Sequence, residues 1–180
     1  MLHLYEKKGD QVTIRPLAHK DIDYLREWRN QSENSQFIRK IPHISKAMQE
    51  QWFAEYLESN DEMTFAIVYE GEVSGSASLY GFQRGKAEFG KLMVGRNKGK
   101  GIGKIATRMC LDIAFDDLGL DIVEAVVTVG NTAAVVIYVK LGFYITGRRF
   151  SEDVGADEYT IELPKERYYA LRAISTPFAN

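Results

Sequence analysis

Gly99, Gly101 and Gly103 stand two residues apart, between a β-rich run and a helical pattern. No other feature of the chain restricts its fold so strongly. The run from Lys86 to Val94 reads as a strand, and Ile102 to Leu118 reads as a helix that Gly119 closes as a C-cap. At such a junction the first helical amides have no intrahelical partner and sit at the positive end of the helix dipole. Glycines let the backbone approach phosphate oxygens where a Cβ would intrude. The segment from residue 91 to 108 carries Lys91, Arg96, Lys98, Lys100, Lys104 and Arg108 and no acidic residue. The chain as a whole has a formal net charge of −2, which argues against bulk electrostatic binding of nucleic acid. The cationic stretch is therefore a local anion site, a cradle for pyrophosphate.

The rest of the chain fits one α/β domain. Its 180 residues, 45% hydrophobic, suffice for a single core without disulfide or metal staples. Val12 to Leu17 reads as a first strand. His19 to Asn34 reads as an amphipathic helix on Ile22, Leu25 and Trp28. Ser45 is placed to cap a helix through Ser59, with Met48, Trp52, Phe53 and Tyr56 on one face. Met63 to Tyr69, Val73 to Phe82 and Lys86 to Val94 form a meander turned at Glu70-Gly71-Glu72 and Gln83-Arg84-Gly85. Ile122 to Val129 is a continuous apolar run, expected to be a strand buried on both faces. A helix from Asn131 to Leu141, a strand from Phe143 to Phe150 and a closing strand from Glu158 to Leu163 complete a mixed α/β fold around one central sheet.

Several functions are excluded or disfavoured at this stage. The most apolar stretch, Ala133 to Val139, is far short of the roughly 20 residues of a membrane crossing. Charges at Glu6, Lys7, Lys8, Asp10 and Arg15 disfavour a signal-peptide core. The single cysteine, Cys110, suits a reducing cytoplasm and reads as a small buried hydrophobe. His3, His19 and His43 have no metal-ligand spacing, so no metal is expected. A Walker A loop would need Gly-x-x-x-x-Gly-Lys-Ser/Thr, which no glycine here satisfies. A dinucleotide fingerprint can be forced through Gly101 to Ala106, but it belongs directly after a first strand, and here several strands come first.

Lys98-Gly99-Lys100-Gly101-Ile102-Gly103 resembles the acetyl-CoA loop of the GNAT N-acetyltransferases, written Arg/Gln-x-x-Gly-x-Gly/Ala. Asn131-Thr132-Ala133-Ala134-Val135-Val136-Ile137-Tyr138-Val139-Lys140-Leu141-Gly142-Phe143 is similar to that family's second signature, Asn-x-x-Ala-x-x-x-Tyr-x-Lys-x-Gly-Phe. Lys98 departs from the usual Arg or Gln while keeping a positive charge. The resemblance covers roughly residues 10–165 of a single N-acetyltransferase domain, 1–180. It implies a mostly antiparallel central sheet with a splayed strand and flanking helices. It also implies acetyl-CoA as co-substrate. Leu92, Met93 and Val94 would pair with the pantetheine arm, and Lys98, Gly99, Lys100, Gly101, Ile102, Gly103 and Lys104 would hold the pyrophosphate. Asn131 would bond the pantetheine, and Tyr138 would sit at the thioester sulfur as general acid.

Amine acetylation needs a neutral amine, and deprotonating a lysine-like amine at pH 7 costs about 4–5 kcal/mol. A base is required, and the resemblance makes Glu88 the candidate, since it stands four residues before the cofactor strand segment, where related acetyltransferases often carry a glutamate. The acceptor is less legible. Trp28-Arg29-Asn30, His43-Ile44-Ser45 and Gln51-Trp52-Phe53 resemble the branch that acetylates 4-amino sugar nucleotides, while the RimJ/RimL-like branch, acting on protein N-termini, and the spermidine branch share the plan. Arg29 and Trp52 are the candidate substrate residues, on a small-molecule amine or a peptide N-terminus, with no nucleic acid or membrane partner. Arg167-Tyr168-Tyr169 is expected to pack on a second subunit, giving a homodimer. A non-catalytic acyl-CoA-binding module is the alternative from another class.

Overall fold

The computed structural model describes residues 3–35, 37 and 42–175. Two short strands come first, β1 (Lys7–Lys8) and β2 (Val12–Pro16), followed by a 3₁₀ turn at His19–Asp21. Three helices follow: α1 (Ile22–Asn30), α2 (Ser32–Ser35) and α3 (Lys46–Glu58). The meander is β3 (Glu62–Tyr69), β4 (Glu72–Gln83) and β5 (Lys86–Val94). Next come α4 (Ile102–Asp112), continued by a π turn at Ile113–Asp117, then β6 (Ile122–Thr128) and α5 (Thr132–Leu141). The chain closes with β7 (Tyr144–Ser151), β8 (Ala156–Pro164) and α6 (Lys165–Ser175).

The strands form one sheet in the order β1-β2-β3-β4-β5-β6-β8-β7, antiparallel throughout except between β5 and β6. Alternation sends Ile14, Phe65, Leu79, Phe89, Val123 and Leu163 to one face, where α4 and α5 add Ile102, Ala106, Cys110 and Tyr138. On the other face Ile22, Leu25 and Trp28 of α1 and Phe53 and Tyr56 of α3 pack near Ala66, Val73 and Met93. Asp21, 1% exposed, accepts two bonds from the Arg15 guanidinium and one from the Ala18 amide, fixing the turn that carries α1 off β2.

Three expectations need correction. On α3, Gln49, Phe53 and Tyr56 form the buried stripe, four and three residues apart, which leaves Met48 about half exposed. On β6, burial alternates: Val123, Ala125 and Val127 are inside, while Glu124 and Val126 are only half-covered. Helices α1 and α3 pack beside β3 to β5 and do not reach that part of the sheet. Finally, Tyr168 is buried in its own chain, while Tyr169 is half-buried and Arg167 exposed. The two tyrosines lie on α6, which was not expected, with both rings against Phe115. Their hydroxyls donate to Asp112 and Asp116 at 2.7 and 2.8 Å. Tyr168 is 4% exposed and so cannot face a partner.

Candidate active site

The single parallel pair in the sheet is short. Lys86, Ala87 and Glu88 of β5 register with Ile122, Val123 and Glu124 of β6, and there the pairing stops. Beyond it, among the described residues, β5 pairs as a strand only with β4, and β6 only with β8. Leu92, Met93 and Val94 therefore line one side of a wedge with their backbone edge open on the β6 side. Lys91, at φ 52°, lies where the register between β4 and β5 shifts, and a bulge of this kind bends the strand.

The glycine loop sits at the end of the wedge. Gly101 is the N-cap of α4, at φ 75°, and no side chain caps the helix there. A Cβ at Gly99 or Gly101 would meet nothing within 4 Å, so the loop backbone faces open space. Ser74 ties the loop down: its carbonyl accepts from the Gly95 and Arg96 amides, and its hydroxyl accepts from the Asn97 amide group. Arg96 lies over the Tyr24 ring, 5.0 Å from its centroid. Of the predicted cradle residues, Lys100 and Lys104 are exposed, whereas Ile102 is a core residue at 1% exposure. Lys98 reaches across to α2, bonding Asn34 at 2.7 Å and Glu33 at 3.2 Å. An uncapped helix N-terminus beside an open strand edge fits a diphosphate with an extended arm.

Across the wedge, the Asn131 side-chain carbonyl caps α5 by accepting from the Ala134 amide at 3.2 Å. The cap uses the side-chain oxygen and not the amide hydrogens. Capping and the expected bond to the pantetheine separate by substitution. Asn131→Asp retains the cap and should raise KM for acetyl-CoA with little change in melting temperature. Asn131→Ala should lose about 0.5–2 kcal/mol of stability as well, read from denaturant unfolding.

Tyr138 projects from α5 into the core face, its ring edge-on to Phe89 and Phe143 at 6.1 and 5.2 Å. Burial, reinforced by the nearby Glu88 charge, holds its phenol protonated well above the ordinary tyrosine range. Glu88 lies on the last rung before the wedge opens, near enough for its charge to act on the Tyr138 phenol. Tyr80 of β4, opposite Glu88 in register, donates a short hydrogen bond to it. Behind Tyr80 lies Glu62, which accepts from Lys91 at 2.6 Å, Thr64 at 2.8 Å and Ser78 at 3.1 Å. Burial alone would raise the Glu62 carboxyl, but these donors outweigh it and hold it below the ordinary range. Glu88, Glu124 and Glu162 follow one another in register across β5, β6 and β8, lining an open groove with Thr146 and Thr160. Lys86 pairs with Glu124, and the Tyr144 hydroxyl bonds Glu162.

The candidate acceptor residues sit apart from this row. Arg29 is half-buried near the end of α1, and Trp52 stacks on Tyr56 at 5.7 Å beside the α1–α3 core. Trp28 and Phe53 are core residues at 3% and 6% exposure. Tyr80 escaped the sequence reading because nothing local marks a strand tyrosine as the neighbour of a carboxylate on the next strand, and Lys91, read as part of the anion site, instead engages Glu62.

Residues 11–144 match the family described as Acetyltransferase (GNAT) domain, and the chain belongs to that family. The spermidine N(1)-acetyltransferase of Escherichia coli K12 is 25% identical over 143 residues, covering 78% of this chain and 77% of the relative. The L-amino acid N-acetyltransferase AaaT of the same organism is 26% identical over 147 residues, covering 78% and 89%. Among solved structures, spermidine N-acetyltransferase from Vibrio cholerae in complex with CoA and spermine superposes with a TM-score of 0.82 at 22% identity, covering 89% of this chain and 99% of that one. The protein is thus an N-acetyltransferase that uses acetyl-CoA to acetylate an amine. Among the described residues no helix is long and apolar enough to cross a membrane.

Proposed function

We propose that this enzyme acetylates a primary amine of a small, polyamine-like cation by direct attack, with Glu88 as base and Tyr138 as donor to the sulfur. One observation carries the assignment: a carboxylate on β5 and a protonated phenol on α5 lie near enough for the charge of the first to act on the second, beside the point where the sheet divides. Acetyl-CoA, when bound, supplies the thioester carbonyl and the thiol leaving group. The open edge of Leu92, Met93 and Val94 holds the extended arm, and the Gly99–Gly103 loop with Lys100 and Lys104 holds the diphosphate. Glu88 takes one proton from the arriving ammonium. The amine nitrogen then forms its bond to the acetyl carbon, the carbon–sulfur bond breaks, and the nitrogen's second proton passes to the departing sulfur, leaving a neutral amide and CoA thiol. Tyr138 donates to the sulfur that departs. Its raised proton affinity makes complete transfer to an ordinary thiolate uphill, so its main contribution is a charge-assisted hydrogen bond.

The acceptor follows from charge. Ammonium groups approach a face carrying Glu62, Glu88, Glu124 and Glu162, of which Lys91 and Lys86 engage only two. A linear polyamine can place one amine at Glu88 while a second lies farther along the row. The relatives that act on spermidine support this reading. Thiol release from acetyl-CoA tests it with spermidine, L-amino acids, amino-sugar nucleotides and peptides with free N-termini. The polyamine should give the highest kcat/KM, by about tenfold or more, as salt-sensitive charge pairing predicts. Preference for an amino-sugar nucleotide or peptide would overturn the acceptor class. Absence of turnover with all four, despite CoA binding by calorimetry, would favour a non-catalytic acyl-CoA-binding role.

A further inference from the structure

We propose that Tyr80 is a positioning residue for the acetylation step, holding the Glu88 carboxylate aimed at the mouth of the wedge. The inference rests on Glu88 acting as base. Tyr80 and Glu88 face each other on β4 and β5, and the phenol donates to Oε1 of the carboxylate. Oε2 is left to meet the ammonium.

The donor is itself braced. The Lys91 ammonium lies 4.8 Å from the centre of the Tyr80 ring. Lys91 in turn donates to Glu62, which Thr64 and Ser78 fix from below. Gly90 keeps the path clear: a Cβ there would stand 2.7 Å from the Tyr80 hydroxyl oxygen and 3.2 Å from the ring. Burial and the Glu88 charge keep the phenol protonated far above the ordinary tyrosine range, so it remains a donor at any working pH.

The neighbours explain why a donor is needed. Glu88 faces Tyr80 from β4, Glu124 from β6 and Tyr138 from α5. Glu62 and Lys91 stand behind the Tyr80 ring, while Lys86 and the more distant Glu162 flank Glu124. With a second carboxylate in the adjacent register position and a second phenol nearby, the Glu88 side chain needs a fixed direction, and the Tyr80 hydrogen bond supplies it.

Replacing Tyr80 by phenylalanine keeps the ring and removes only this donor. The expected result is a kcat about tenfold lower, KM for acetyl-CoA within about twofold, and an acid limb of kcat/KM moved about one pH unit upward. Gly90→Ala should reproduce that signature with Tyr80 present, because the new methyl displaces the hydroxyl. In a Glu88→Gln background, Tyr80→Phe should add no further loss. A Tyr80→Phe enzyme that is slower or less stable but keeps its acid limb would reduce Tyr80 to a packing residue and overturn the proposal. So would a full multiplicative loss in the Glu88→Gln background. If Glu88→Gln alone leaves rate and pH profile unchanged, Glu88 is not the base, and the proposal falls with that assignment rather than through Tyr80.

Discussion

Tyr138→Phe is expected to lower kcat by about 10–100-fold, since a hydrogen bond to the charge developing on the departing sulfur is worth roughly 1.5–3 kcal/mol. Affinity for CoA should stay within about twofold, because phenylalanine preserves the ring contacts that carry the packing. The edge-on contacts with Phe89 and Phe143 involve the ring alone. Melting temperature should therefore change little. Single-turnover thiol release measures the chemical step, and calorimetry with CoA measures binding. The phenol is held protonated by burial and by Glu88, so the wild-type rate should show no decline from its ionisation as pH rises toward 10. Undiminished turnover in the variant would remove Tyr138 from the chemistry.

The second large effect concerns the scaffold of the cofactor edge. Gly75 of β4 pairs with Val94, and a Cβ there would lie 2.2 Å from the Met93 carbonyl oxygen and 3.2 Å from the Val94 Cα. Both are backbone atoms, so no side chain can swing aside. Gly75→Ala must displace the end of β5, which adjoins the Ser74 bonds to Gly95 and Arg96. We expect a loss of about 1–3 kcal/mol, seen as a melting temperature roughly 3–10 °C lower. KM for acetyl-CoA should rise with it, because Leu92, Met93 and Val94 move together. A variant with wild-type melting and wild-type KM would show that this end of β5 yields without cost.

The cradle and α5 were legible because their chemistry is local. Gly101 must adopt a positive φ just where α4 begins, and Asn131 must cap α5, so each leaves its mark at one position. Glu88 was legible only through the family likeness, and its partner was not legible at all. Gln83 and Lys86 flank the β4–β5 turn in register, and counting straight back from them sets Gly81 opposite Glu88. In the structure Gly81, at φ 66°, falls within a register shift, and Tyr80 takes that place instead. Pattern analysis cannot see a one-residue slip that exchanges a glycine for a phenol. The Lys98 contacts were hidden for another reason, since α2 lies 65 residues earlier in the chain. β6 misled because its Val and Ile content resembles that of a doubly covered strand, although Glu124 already broke the apolar run.

Cys110 is the chain's single thiol, and it stands on α4, the helix that the glycine loop begins. It is fully buried, and desolvation lifts its ionisation far above the ordinary cysteine range. Every catalytic cycle sets free one molecule of CoA, a thiol that readily forms mixed disulfides under oxidising stress. An enzyme offering no thiolate has nothing for such disulfides to capture. The catalyst is thereby insulated from covalent poisoning by its own by-product.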